Sequence, residues 1–550
     1  MLGQKIDRAQ SAYDYPLIIK QLLRTPLLYS PNQEIVYRDL KRYSYTTLNE
    51  RIGRLANGLK SLGVQPGQTV GVMDWDSHRY LECFFAVPMM GAVLHMVNVR
   101  LSPEQIIYTI NHAEDDVLLV NSDFLPVVEG VRSELKTVKK IIVMTDLPAV
   151  PETPMETVGE YEALLAASDI EYAFPDLDEN TKATTFYTTG TTGAPKGVYF
   201  SHRQLVLHTF GTIAGICGFK SQIQVDSSDV YMPLTPMFHV HAWGFPYVAT
   251  LLGAKQVYPG RYEPETILKL VKKEAVTLSH CVPTILHMLL SNPKVKEIDL
   301  TGWKLIIGGS ALSKASCKAA LDLGINIFTG YGMSETCPVL TLAQLKPHML
   351  DWETEKQVPI LCRTGLPIPL VDLRVVDPDG KGLPHDGVSA GEVVVRAPWL
   401  TQGYAKEPQK SEELWTDGWL HTSDIGFIDG EGYLQVTDRL KDVIKTGGEW
   451  VSSLILEDIL MQHEAVSEAA VIGIPNEKWG ERPMALVVLK SDHVGKATAD
   501  DLKAHFMKHV DSGAISKWGV PDKVSFVDAL PKTSVGKLNK RAMRQQLIKE

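Results

Sequence analysis

Through the first four hundred residues, short continuous apolar runs alternate with stretches whose apolar positions recur at helical spacing. Residues 69–73 (Thr-Val-Gly-Val-Met) read as a strand, and 48–62 carry the helical period. The run 304–307 is a strand that breaks at Gly308-Gly309; a helix over 313–323 and a strand over 325–328 follow. This βαβ rhythm predicts an α/β architecture. The most apolar run, 84–99, is too short to span a bilayer and contains His95 and Asn98. It reads as a buried helix and strand. Around 371–436 the pattern changes to short strands between turn sequences (Asp-Pro-Asp-Gly-Lys-Gly, Asp-Gly-Glu-Gly-Tyr), the mark of an antiparallel sheet or a small barrel-like unit.

A boundary falls at 438–441, dividing the chain into a large unit, 1–438, and a small α+β unit, 439–550. The small unit reads as a strand pair, a helix over 454–463, strands over 469–474 and 484–489, a helix over 499–510 and a strand over 523–527. A basic helical tail, read as a solvated face, closes it.

The chain has 550 residues, more than one hydrophobic core accommodates. Its 44% hydrophobic and 22% charged residues are those of a soluble globular protein, and a net charge of −10 argues against a nucleic-acid partner. Six scattered cysteines without a Cys-x-x-Cys pair argue against zinc and disulfides and for the reducing cytoplasm. The N-terminus has no apolar core of signal-peptide length.

The richest chemistry lies at 187–197, Tyr-Thr-Thr-Gly-Thr-Thr-Gly-Ala-Pro-Lys-Gly. Thr188, Thr189, Thr191 and Thr192 supply hydroxyl donors, Gly190 and Gly193 let backbone N–H groups approach an anion, and Lys196 adds a mobile charge. Such a loop suits a polyphosphate. It is not a P-loop, because Pro195 stands where the second glycine is required.

Together these eleven residues resemble the signature loop of adenylate-forming enzymes, the superfamily of acyl-CoA synthetases, peptide-synthetase adenylation domains and luciferases. Further motifs fit that resemblance. Gly330-Tyr331-Gly332-Met333-Ser334-Glu335-Thr336 follows a predicted strand, where α/β sheets bind ligands. Tyr331 can stack on a purine, Ser334 (in the place of the family's threonine) can donate to phosphate, and Glu335 is a hard oxygen ligand suited to Mg²⁺. The resemblance adds Thr188 to the metal side. Gly309-Ser310-Ala311 is similar to the loop covering the other face of the adenine. Asp424 and Arg439 read equally well as a structural ion pair; the resemblance assigns both to the ribose.

By the same resemblance, Lys441 is the hinge between the two units, and Lys445, Gly447, Gly448 and Glu449 line the CoA channel. Lys537, in Pro-Lys-Thr-Ser-Val-Gly-Lys-Leu, is the catalytic lysine of adenylation. The implied reaction joins a carboxylate to the α-phosphate of ATP, releases pyrophosphate, and then passes the acyl group to the thiol of CoA. In the family the small unit rotates between the two steps.

Within the superfamily the chain looks most like bacterial medium- and long-chain fatty-acyl-CoA synthetases. In Pro236-Met237-Phe238-His239-Val240-His241-Ala242-Trp243-Gly244, His239 matches the residue beside the carboxylate and Trp243 the gate of the acyl tunnel. A packed aromatic at the start of a buried helix explains Trp243 equally well. Acetate-specific relatives carry tryptophan at the position of Gly332, so glycine implies open space for a longer acid. An apolar tunnel rewards length, at about 0.8 kcal/mol per buried methylene. No acidic residue stands between 236 and 247 to hold an amino-acid ammonium. An aryl, branched or thioether-containing acid, or a carrier-protein acceptor, remains open. Homodimers are common in the family, and no sequence feature here sets the oligomeric state.

Overall fold

The computed structural model describes residues 3, 6–188, 194–446, 449–512, 515–533 and 538–547, without the side chains of 449, 450 and 547. Four sheets form in the described residues. The first has seven strands, with Thr69–Met73 at its centre between Asp115–Asn121 and Val93–Met96. All three run parallel, and all five residues of Thr69–Met73 are buried, as a strand covered on both faces requires. The edge is an antiparallel hairpin of Lys182–Thr188 and Lys196–Ser201.

The second sheet has nine strands. Its parallel core runs through Val230–Leu234, Leu278–Cys281, Lys304–Ile307 and Asn326–Gly332. The strands expected at 69–73 and 304–307 are found with those bounds, and the helix expected over 48–62 is Tyr45–Ser61, capped by the Ser44 side chain. The run 84–99 divides into the end of the helix His78–Met89 and the strand Val93–Met96.

The third sheet, five strands between Asp372 and Arg439, pairs antiparallel, the open form of the two expected. From Ile444 onward a fourth sheet carries its own cores, one around Leu456, Val471 and Phe506 and another around Ile472, Leu486 and Met543. Its long hairpin, Val466–Asn476 with Gly480–Leu489, takes Lys523–Phe526 as a parallel neighbour. Among the described residues no helix is long and apolar enough to cross a membrane.

Candidate active site

The strands that flank the Gly/Thr-rich stretch pair as the edge hairpin, with Thr188 directly opposite Lys196 and both half-buried. Thr189, Gly190, Thr191, Thr192 and Gly193 lie outside the described residues. The segment around Tyr404 crosses the base of this hairpin. Tyr404 bridges Val198, and the Ala405 N–H donates to the Gly197 carbonyl at 2.8 Å. That crossing puts the Tyr404 ring under the Lys196 ammonium, 4.4 Å from centroid to Nζ.

The same tyrosine reaches Glu335. Its hydroxyl donates to Glu335 Oε1 at 2.7 Å, while the Thr401 N–H donates to the Glu335 carbonyl at 2.9 Å. Burial, then the neighbouring carboxylate, pushes the Tyr404 phenol above its ordinary pKa, so it stays a donor. Lys196, Tyr404 and Glu335 thus form one stack from the hairpin to the carboxyl end of the second sheet. Sequence reasoning missed Tyr404, since a lone tyrosine in Gln-Gly-Tyr-Ala carries no chemical signal of its own.

A second polar corner lies beside it. Asp424 and Arg439 are register partners on antiparallel strands, with Nε 3.3 Å from Oδ1. The Tyr331 hydroxyl donates to Asp424 Oδ2 at 2.6 Å. Asp424 is buried and raises the pKa of the Arg439 guanidinium, whose side chain is half exposed. The structure therefore joins Tyr331, Asp424 and Arg439, which the sequence separates by about a hundred residues. Gly330, Tyr331, Gly332, Met333 and Ser334 are all half-buried, whereas Glu335 is buried; Gly309, Ser310 and Ala311 are exposed after the strand Lys304–Ile307.

The Pro236–Gly244 segment is built differently. From 231 to 250 every residue is buried except His239, which is half-buried. Val240, His241, Ala242 and Trp243 have φ of 48°, 57°, 47° and 58°, and Gly244 follows at 77°. This is a left-handed turn that leads directly into the buried helix Phe245–Leu252, in keeping with the alternative expectation of a buried helix start. Left-handed backbone costs about 1–2 kcal/mol per non-glycine residue, so packing must hold it. His241 Nε2 is 2.8 Å from the Thr184 hydroxyl, and the buried Asp76 carboxylate accepts the Met237 N–H at 2.8 Å. Burial pushes the His241 and His208 imidazoles down to about 3, so both are neutral near pH 7. Trp243 packs against His280, ring centroids 5.0 Å apart, and its ring edge lies over Gly308, where an added Cβ would come within 2.8 Å.

One expectation is corrected. The missing side chain of Gly332 does not face open space: a Cβ there would stand 1.8 Å from the Pro338 carbonyl oxygen. Glycine serves the close antiparallel pairing of Asn326–Gly332 with Val339–Leu342, so Gly332 is no measure of the acyl pocket, and tryptophan at 332 would disrupt backbone rather than shorten a tunnel.

Of the residues expected at the hinge and the CoA channel, Lys441 lies close enough to Arg439 and Asp424 for their charges to act on it. Lys441 and Lys445 are exposed, and the Lys445 N–H donates to Glu481 at 2.9 Å. Glu449 is the register partner of Thr446. Gly447, Gly448 and Lys537 lie outside the described residues. Among the described residues no three His, Cys, Asp or Glu side chains could together cage a metal.

Comparison with known proteins decides the family. The model described as "AMP-binding enzyme" matches residues 27–405, and "AMP-binding enzyme C-terminal domain" matches 456–537. The chain belongs to the AMP-binding enzymes. This AMP-binding enzyme is 41% identical over 526 residues to a long-chain-fatty-acid–CoA ligase of Thermus thermophilus, covering 94% of the chain and 92% of the relative. It is 37% identical over 557 residues to a 3-methylmercaptopropionyl-CoA ligase of Ruegeria lacuscaerulensis, covering 99% of each. The fold matches the crystal structure of the anthranilate CoA ligase AuaEII in complex with anthranoyl-AMP, with a TM-score of 0.84 at 24% identity, over 97% of this chain and 98% of that one.

Proposed function

We propose that this AMP-binding enzyme is an ATP-dependent acid–CoA ligase acting on a medium- to long-chain fatty acid. The observation that carries the reading is the Lys196–Tyr404–Glu335 stack beside the Tyr331–Asp424–Arg439 corner. One carries the charges a triphosphate needs, the other the carboxylate and guanidinium a ribose needs. In the first step a carboxylate oxygen of the acid attacks the α-phosphorus of ATP, and the bond to the bridging oxygen breaks to release pyrophosphate. In the second, the CoA sulfur attacks the acyl carbonyl; AMP leaves and the thiol proton passes to solvent.

Lys196 and the hairpin threonines hold the phosphates, Asp424 and Arg439 the ribose, and Tyr331 with Gly309, Ser310 and Ala311 the adenine. Mg²⁺ bound to phosphate oxygens would neutralise developing charge. Glu335, a hard carboxylate with no metal-caging group of His, Cys, Asp or Glu among the described residues, suits such a substrate-borne ion, with Thr188 at the start of the Gly/Thr-rich stretch. Lys537 supplies a further cation to the adenylation step. The unit from 439 onward turns about Lys441 between the steps and presents Lys445, Gly447, Gly448 and Glu449 to the CoA arm.

His239 is our candidate for the residue beside the carboxylate of the acid; its partial exposure within an otherwise buried segment supports that reading. The apolar neighbours Phe238, Val240 and Trp243 favour an alkyl chain. The 37% identity to a 3-methylmercaptopropionyl-CoA ligase favours a second reading, a short thioether acid. A panel of acids from acetate to palmitate, with 3-(methylthio)propionate, benzoate and cinnamate, assayed for acyl-CoA with ATP, Mg²⁺ and CoA, separates them. A maximum among the medium- or long-chain linear acids, where each further buried methylene adds about 0.8 kcal/mol, supports the first reading. A maximum at 3-(methylthio)propionate replaces it with the second, and AMP release without thioester would point to another acceptor.

A further inference from the structure

A buried polar relay spans the hinge. Asp438, one residue before Arg439, is 2% exposed and accepts two hydrogen bonds on Oδ2 from Ser453: the amide at 2.7 Å and the hydroxyl at 2.5 Å. The Ser453 hydroxyl in turn accepts from Lys540 Nζ at 2.5 Å, and the same ammonium lies 2.7 Å from Glu457 Oε1. Glu457 also accepts the Val471 N–H at 2.8 Å. Ser453 is fully buried, and Glu457 and Lys540 are each 8% exposed. A parallel bond runs from the Ser452 hydroxyl to the Thr437 carbonyl.

These bonds fall into two sets about Lys441. Lys540–Glu457, Lys540–Ser453 and the Arg544–Asp442 pair at 2.9 Å join residues that follow the hinge. They travel with the small unit. Asp438–Ser453 and Thr437–Ser452 join residues on opposite sides of it. Any rotation about Lys441 that carries Ser453 away must break them. Asp438 then keeps the Arg439 N–H on Oδ1 at 2.7 Å but loses both donors to Oδ2, a state that a protein tolerates poorly for a buried charge.

We propose that Asp438 is a positioning residue whose bonds to Ser453, reinforced by Lys540 through the serine hydroxyl, latch the small unit in one of its two working orientations. The latch rests on the acid–CoA ligase reading for its consequence, since only a two-step reaction gives the two orientations different work. Its chemistry is self-contained. Lys540 polarises the Ser453 hydroxyl toward Asp438, and it keeps its own partner Glu457 when the latch opens. The Lys540–Glu457 pair therefore persists in both orientations, and the strength of the latch sits on the bonds between Asp438 and Ser453.

The test measures the two half-reactions separately in the full-length enzyme: acid-dependent pyrophosphate exchange into ATP, and acyl-CoA formation from synthetic acyl-adenylate and CoA. In Asp438→Ala the ratio of the two rates should shift by about tenfold or more, since charge-assisted bonds are lost from one orientation alone. Ser453→Ala, which keeps the amide bond, should shift it the same way by a smaller factor of about three. An unchanged ratio in both variants, whether both rates fall together or neither does, overturns the latch. Hydrogen exchange at 450–456 without substrates gives a readout independent of catalysis. Faster exchange of the Ser453 amide in Asp438→Ala than in wild type supports the proposal, and equal exchange overturns it. If no acid yields a thioester in wild type, the ligase reading fails, while the exchange result still decides whether the hinge-spanning bond exists.

Discussion

The polar cluster proposed as the nucleotide wall and the Pro236–Gly244 segment proposed for the acyl side are built on opposite terms. The nucleotide wall is polar and engages its side chains with one another: Tyr404 with Glu335, Tyr331 and Arg439 with Asp424. Its motif 330–334 is half-buried throughout. The acyl-side segment is dry, with only His239 partly exposed between 231 and 250, and it stores a left-handed turn. Preorganised charge is what a phosphate needs, and a water-free apolar surface is what an alkyl chain needs. One wall is specified by hydrogen-bond partners, the other by packing around strained backbone.

The sharpest way to break this contrast is to remove the acid at its polar end. Glu335→Ala should lower adenylate formation by about two to three orders of magnitude, the scale of losing one key electrostatic group. Acyl-CoA formation from supplied adenylate should change far less. Comparable losses in both half-reactions would show that Glu335 supports the fold and not the phosphates.

The packed wall should fail by stability instead. Gly244 has φ of 77°, and a Cβ there would lie 2.7 Å from the His208 ring. Gly244→Ala should therefore destabilise the protein by about 2–4 kcal/mol, from left-handed strain plus overpacking, read as a lower urea midpoint. A midpoint within error of wild type would mean that the segment is loosely held.

Tyr404→Phe sharpens the comparison at smaller scale. The ring beneath Lys196 remains while the bond to Glu335 is lost. A fall of about tenfold in kcat/KM for ATP, with stability nearly unchanged, is expected for one hydrogen bond to a charged group. No kinetic change would remove Tyr404 from the site.

A pH dependence is expected on the packed side. Burial raises the Asp76 carboxyl to about 7 in the folded protein, against 3.8 for an ordinary aspartate. Between those values the folded state holds a proton that the unfolded state has lost, so this group's contribution to stability falls as pH rises. Asp76→Asn does not titrate. The stability of the variant minus that of wild type should grow from about pH 4 to pH 7, by at most about 1.4 kcal/mol per pH unit, and then level off. Denaturant titrations across that range check it; a flat difference would mean that Asp76 ionises normally.

How legible each wall was in the sequence follows the same contrast. Strands such as Thr69–Met73 and Lys304–Ile307 announced themselves because continuous apolar runs bounded by turns have few alternatives. The motif around Glu335 was legible because its residues are consecutive. Tyr404 was not, since its role arises from a strand crossing that brings 404 to 198, a contact set by tertiary pairing alone. The reading of Gly332 failed for the related reason that a glycine's missing side chain can admit backbone as well as ligand, and here the Pro338 carbonyl fills the space. The left-handed turn at 240–244 has no local signature, because none of Val240, His241, Ala242 or Trp243 favours that conformation by itself. Its cause lies in the packing around it.

The central claim is that the polar wall activates a carboxylic acid with ATP before CoA takes part. The direct measurement is exchange of labelled pyrophosphate into ATP by the full-length enzyme, with Mg²⁺ and no CoA, in the presence and absence of a fatty acid. The account predicts exchange that requires the acid and proceeds without CoA. Exchange that is independent of any acid, or absent with every acid until CoA is added, would contradict it.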